Sequence, residues 1–127
     1  MAKPDLVGMV VLDMPSTLRF YRMLGLEIAP EKDTEDHVEV VLPGGFRLAW
    51  DKLDMIKGLN PDWVEPVGQR LSLAFKCETP VAVDDLHARL VQSKYQSYKA
   101  PWDAFWGQRY AVVVDPDGNH VDLFADR

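Results

Sequence analysis

Two residue pairs in the 127-residue chain have side chains and spacing suited to metal coordination or proton transfer. His37 and Glu39 stand two apart, as do His120 and Asp122. On a strand that spacing places both side chains on one face, where an imidazole and a carboxylate offer a metal two donors. His37 and Glu39 are flanked by Asp33, Glu35 and Asp36, the composition of a solvated acidic face. His120 reads as a hydrogen-bonded turn histidine, with a makeshift metal pair to Asp122 as the alternative. His87 falls beside Leu86 and Leu90 and is expected at the edge of a core. Cys77 is the single cysteine and is expected to pack as a small hydrophobe. No order of Ser, His and Asp suggests a nucleophilic triad. Pro43-Gly44-Gly45 lacks the lysine and following helix of a phosphate loop.

A different chemistry is offered by the stretch 101–109, where Trp102, Phe105 and Trp106 crowd together. Read as a loop, it either closes the core end of a sheet or forms a stacking wall for a flat ligand. Trp102 and Phe105 are expected as ligand contacts and Trp106 as the structural member.

These residues need elements to hold them. Residues 6–12 form a short apolar run and predict a buried strand. Asp13-Met14-Pro15-Ser16 supplies a cap and a first-turn proline, Leu18, Tyr21 and Leu24 recur at helical spacing, and Gly25 ends the helix. A short strand is expected at 26–29, a charged loop at 31–36, and two strands around Val38–Leu42 and Phe46–Trp50, joined by Pro43-Gly44-Gly45. Residues 51–69, broken by Gly58, Asn60-Pro61, Pro66 and Gly68, read as a linker with a helical turn. The order then repeats: a strand at 70–77, Thr79-Pro80 opening a helix with Val83, Leu86 and Leu90 on its core side, and strands at 110–114 and 121–124. Asp115-Pro116-Asp117-Gly118-Asn119 joins those last strands as a hairpin turn. Module one therefore spans about 5–50, the linker 51–69 and module two about 70–126.

Acidic residues number 20 against 14 basic ones, for a net charge of −6. That balance disfavours nucleic acid and anionic membrane surfaces as partners. A single cysteine cannot build a disulfide framework within the chain. No apolar run approaches a membrane span, and the start Met-Ala-Lys-Pro-Asp has no signal-peptide pattern. A cytoplasmic location is expected.

The run Val-Leu-Asp-Met-Pro-Ser-Thr-Leu-Arg-Phe-Tyr-Arg-Met-Leu-Gly-Leu at 11–26 resembles the first strand and helix of the vicinal oxygen chelate superfamily, which includes glyoxalase I, bleomycin-resistance proteins and extradiol dioxygenases. Asp115 to Asn119, followed by Val121-Asp122-Leu123-Phe124, resembles its final hairpin, and Leu73-Ala74-Phe75 with the helix from Val81 fits its middle. The resemblance covers about 5–50 and 70–126. It implies an α+β fold of paired βαβββ modules, a curled and mostly antiparallel sheet around a cavity, and helices on the outer face. Metal-dependent members hold an ion with four inward side chains. The motifs map those positions to Leu6, Leu48, Ser72 and Asp122. Two leucines and a serine are poor ligands, so no metal and no cofactor are expected.

Strand alternation then predicts the cavity wall. Ser72, Ala74 and Lys76 point inward, as do Asp122 with His120 and Phe124, and Tyr110 beside them. Leu48 and Trp50 are placed inward too, which leaves Arg47 awkwardly toward the helices. The expected ligand contacts are Trp50, Trp102, Phe105, Tyr110, Asp122, Ser72 and Leu48. The resemblance and this wall imply a metal-free protein that sequesters a bulky, partly aromatic small molecule such as an antibiotic. The alternative is a lyase, isomerase or dioxygenase using Asp122 as its candidate catalytic residue, with a displaced metal or none. A homodimer is expected, since each small sheet has helices on one face only.

Overall fold

A computed structural model of the chain describes residues 1–127. They fall into two compact units, Met1–Pro66 and Val67–Arg127. Both are mixed α+β structures, and neither sheet closes into a barrel.

In the first unit, β1 (Leu6–Val11) leads into α1 (Met14–Met23), followed by β2 (His37–Val41), β3 (Arg47–Lys52) and α2 (Leu53–Leu59). The helix starts where the sequence marks it: the Asp13 side chain accepts from the Ser16 amide at 3.1 Å, and Pro15 lies in the first turn. The sheet order is β1-β3-β2, with β1 parallel and β2 antiparallel to β3. Its register aligns Met9, Trp50 and Val38 across the three strands. Trp50 is fully buried and its ring lies 5.2 Å from that of Tyr21 on α1. The Tyr21 hydroxyl in turn contacts Met9 Sδ at 3.4 Å.

That register corrects the expected face of β3. Leu48 and Trp50 turn toward α1 and are core, while Arg47, Ala49 and Asp51 share the opposite face. The physical reason is charge. Arg47 stays hydrated on the open face and pairs with Asp5 at 2.6 Å and Glu39 at 2.9 Å, whereas beneath the helix it would carry a desolvation cost of several kcal/mol.

Two connections also differ. No strand forms at 26–29, because the Arg22 guanidinium takes the carbonyls of Ile28 and Ala29 at 2.8 and 2.9 Å and is anchored by Asp33. A five-residue 3₁₀ helix, Pro30–Thr34, replaces the expected charged loop. The expected linker opens with α2 directly at the end of β3.

The second unit contains β4 (Leu73–Lys76), α3 (Pro80–Gln92), β5 (Gln96–Asp103), β6 (Gln108–Val114) and β7 (His120–Asp126). Thr79 caps α3 by accepting from the Ala82 amide at 3.1 Å. The sheet order is β4-β7-β6-β5, parallel for β4–β7 and antiparallel elsewhere. Val83, Leu86 and Leu90 of α3 are buried, as are Ala111 and Val113 of β6 and Val121, Leu123 and Ala125 of β7. Each large aliphatic buried this way contributes about 1.5–3 kcal/mol.

The β6–β7 turn is fixed by Asp115, whose carboxylate accepts from the Asp117 and Asn119 amides and the Asn119 side chain at 2.8–2.9 Å. Gly118 provides the positive φ of +90° that the turn needs.

The expected strand at 70–77 shortens to β4, which pairs with β7 only from Leu73 onward. The larger correction is β5. Trp102 lies on this strand rather than on a loop and pairs with Tyr110. Two register shifts, between Ser97 and Lys99 and between Lys99 and Trp102, break the two-residue alternation that would have revealed it. β5 is an edge strand, where Pro101 costs no central ladder bond. No helix is long and apolar enough to cross a membrane.

Candidate functional site

The second unit covers one sheet face with α3 and leaves the other open. Residues directly opposite one another across β6 and β7 are Tyr110 with Phe124, Val112 with Asp122, and Val114 with His120. The alternation that buries Ala111, Val113, Val121 and Leu123 sends this second set to the open face. Ala74 of β4 pairs with Asp122 and continues the face.

An aromatic strip crosses it. Tyr110 stacks on Phe124 at 6.0 Å and meets Trp102 and Trp106 edge-on at 5.5 and 5.3 Å. Trp106 touches Phe105 at 5.0 Å. Phe105 is 97% exposed and Trp106 is 48% exposed, so the end of the strip lies open to solvent. Trp106 is therefore a surface member rather than the structural one, with its indole N–H donated to Gln108 at 2.9 Å.

Next to the strip is a pocket of about 330 Å³, lined by Arg70, Ser72, Tyr98, Val112, His120 and Asp122 among others. The Tyr110 hydroxyl donates to Asp122 Oδ2 at 2.5 Å and ties strip to pocket. Burial first, and then the contact with Asp122, push the Tyr110 phenol up to about 12. It therefore keeps its proton at neutral pH and orients the carboxylate. Lys76 bonds Asp126 at 3.1 Å, so its charge is held there. The His120 ring lies 4.5 Å from that of Tyr98.

On the open face of the first sheet, Asp51, His37, Glu39, Arg47 and Asp5 form a chain of charged contacts. His37 Nδ1 meets Asp51, and Nε2 meets Glu39 at 3.0 Å. The hydrogen bond to Asp51 and then that to Glu39 raise the His37 pKa above its ordinary value. His37 thus spends both ring nitrogens on carboxylates.

Of the expected contacts, Asp122, Tyr110, Trp102 and Ser72 share the second unit's open face or its pocket, and Phe105 stands at the exposed end of the strip. Leu48 and Trp50 belong to the core of the first unit. Alternation in the sequence places Phe124 on the right face, whereas Tyr98 and Lys99 fall within the irregular register of β5 and give no such signal.

The metal positions suggested by the motifs can be tested against register. Asp122 pairs with Ala74, two residues after Ser72. The corresponding pair in the first sheet is Gly8 with Ala49, two residues after Leu6. The position assigned to Leu48 therefore belongs to Ala49. Leu6 and Ala49 have no donor atoms and Ser72 is a poor ligand, so these residues do not fit a four-ligand ion. No group of three or more His, Cys, Asp or Glu side chains is placed to hold one.

Fold and site together define an α+β protein of two open-sheet units with an aromatic and carboxylate face on the second. Residues 3–123 match the family model of the Glyoxalase/Bleomycin resistance protein/Dioxygenase superfamily, and the chain belongs to that superfamily. Among solved structures, it is similar to a glyoxalase/bleomycin resistance protein/dioxygenase family enzyme from Burkholderia phytofirmans PsJN, at 19% identity and TM-score 0.85, covering 99% of this chain and 100% of that one. It is also similar to a glyoxalase-related enzyme from Fulvimarina pelagi, at 20% identity and TM-score 0.83, over 99% and 89% of the two chains. A lactoylglutathione lyase from Agrobacterium tumefaciens matches at 20% identity and TM-score 0.68, over 98% and 94%. At these identities the likeness establishes the fold. No curated protein matches the chain.

Proposed function

We propose that the protein binds and sequesters a flat, aromatic-bearing small molecule on the open face of its second sheet. The carrying observation is the Tyr110–Asp122 hydrogen bond at 2.5 Å, set between an aromatic strip and a polar pocket. Binding sites combine apolar walls with a few placed polar groups, and this face has that composition. Trp102, Tyr110, Trp106 and Phe124 supply ring surface. Asp122 presents its other oxygen, and Ser72 and His120 supply further polar atoms. The absence of a fitting four-ligand set favours binding over the metal-centred chemistry implied by the family resemblance.

Tryptophan fluorescence titration with planar antibiotics and aromatic metabolites tests the reading. A ring stacked on Trp102 gains about 0.5–1.5 kcal/mol beyond area burial. Trp102→Ala should therefore weaken a hit about two- to tenfold. Failure of every compound to bind, or binding unaffected by that substitution, would remove this face as the site.

A further inference from the structure

The pocket beside the strip contains a charge arrangement that the acidic composition of the chain conceals. Lys76 is paired with Asp126. Arg70 and Asp122 line one pocket without forming an ion pair. Lys99 has its ammonium 4.0 Å from the centroid of the Trp102 ring, a cation–π contact with no carboxylate partner. Unbalanced charge on this face is thus two cations against one carboxylate, in a chain of net charge −6.

Arg70 follows a segment joined to the β6–β7 turn. Gly68, with φ +83°, turns the chain, and the Gln69 side chain donates from Nε2 to the Gly118 carbonyl at 2.8 Å. That carbonyl belongs to the turn fixed by Asp115. Arg70, the residue after Gln69, lines the pocket together with Tyr98 and Val112.

We infer that the ligand carries a carboxylate or a comparable anion beside its flat ring, and that Arg70 and Lys99 select for it. This rests on the proposed use of the face as a ligand site. The Lys99 ammonium lies over the Trp102 ring, so a ligand ring packed beside Trp102 brings its anion within reach of that charge. Arg70 offers a planar donor fork that suits a carboxylate. Asp122, oriented by Tyr110, accepts a hydrogen bond from a donor elsewhere on the ring.

Three probes sharing one ring test the inference: 2-naphthoate, 2-naphthylmethanol and 2-naphthylmethylamine, titrated by tryptophan fluorescence at low and high salt. The naphthoate should bind about tenfold more tightly than the neutral alcohol, with the difference shrinking as salt screens it. Arg70→Gln and Lys99→Gln should each remove about three- to tenfold of naphthoate affinity, leave alcohol affinity within about twofold, and leave the melting temperature unchanged. If the alcohol or amine binds as tightly as the naphthoate, or if neither variant alters the preference, the inference is overturned while the ring-binding face stands. If none of the probes binds, the face itself is not the site.

Discussion

The Tyr110–Asp122 contact can be perturbed without disturbing the core, because both side chains lie on the open sheet face. Tyr110 is pushed up to about 12 from 10.0, first by burial and then by Asp122. A phenol with a raised folded-state pKa contributes stability that is fully present below pH 10 and is lost as pH rises toward 12. Two pKa steps correspond to about 2.7 kcal/mol at full value. The ring is partly open to water, and screening reduces the net effect to about 1 kcal/mol. At neutral pH Tyr110→Phe removes one part-exposed hydrogen bond worth about 1 kcal/mol and should lower Tm by about 3–5 °C. Asp122→Asn removes only the second cause, so the phenol should titrate between its ordinary value and the wild-type one. Alkaline titration of tyrosinate absorbance reads this directly. Tyr110 should supply a late-ionising phase that Tyr110→Phe removes and Asp122→Asn moves earlier, which separates it from the fully buried Tyr21. If Tyr110→Phe removes no late phase, or if Asp122→Asn leaves the Tyr110 phase unmoved, the contact does not help to hold the phenol's proton.

Three further outcomes follow from the two units. His37 is raised by Asp51 and Glu39, so its stabilising effect is complete below about pH 6.5 and fades as pH rises through the raised value; thermal melts of wild type should show this slope and His37→Gln should flatten it. Trp50→Ala empties a fully buried site and should cost about 3–5 kcal/mol in denaturant unfolding, against about 1 kcal/mol or less for the half-exposed Trp106→Ala; equal costs would contradict the register of β3. Sedimentation at micromolar concentration should give about twice the mass of one chain, as expected of a two-fold pair, and a monomer throughout would refute that expectation.

What the sequence disclosed follows the strength of each local signal. Asp13 with Pro15, and Thr79 with Pro80, marked both longer helices, because capping chemistry is local. Asp115 to Asn119 fixed the final hairpin and with it the faces of β6 and β7, so Tyr110 and Asp122 were legible as neighbours. Trp50 was misassigned because Phe46, Leu48 and Trp50 look equally apolar from either side of a strand. The pairing of Arg47 with Asp5 and Glu39 and the contact of Trp50 with Tyr21 decide which face is open. The segment at 26–29 has a strand's composition, yet its carbonyls are claimed by a side chain six and seven residues away. β5 stayed hidden because its register shifts erase alternation, and that concealed Tyr98 and Lys99.

The most direct test of the ring-binding face is to follow the indole N–H resonances of Trp50, Trp63, Trp102 and Trp106 while 2-naphthoate is added. Two of these tryptophans border the open face of the second sheet, one is buried beneath α1, and Trp63 belongs to the first unit. The signals of Trp102 and Trp106 should move in a saturable way, and those of Trp50 and Trp63 should stay in place. Shifts confined to Trp50 or Trp63, or no shift at any of the four, would contradict the assignment.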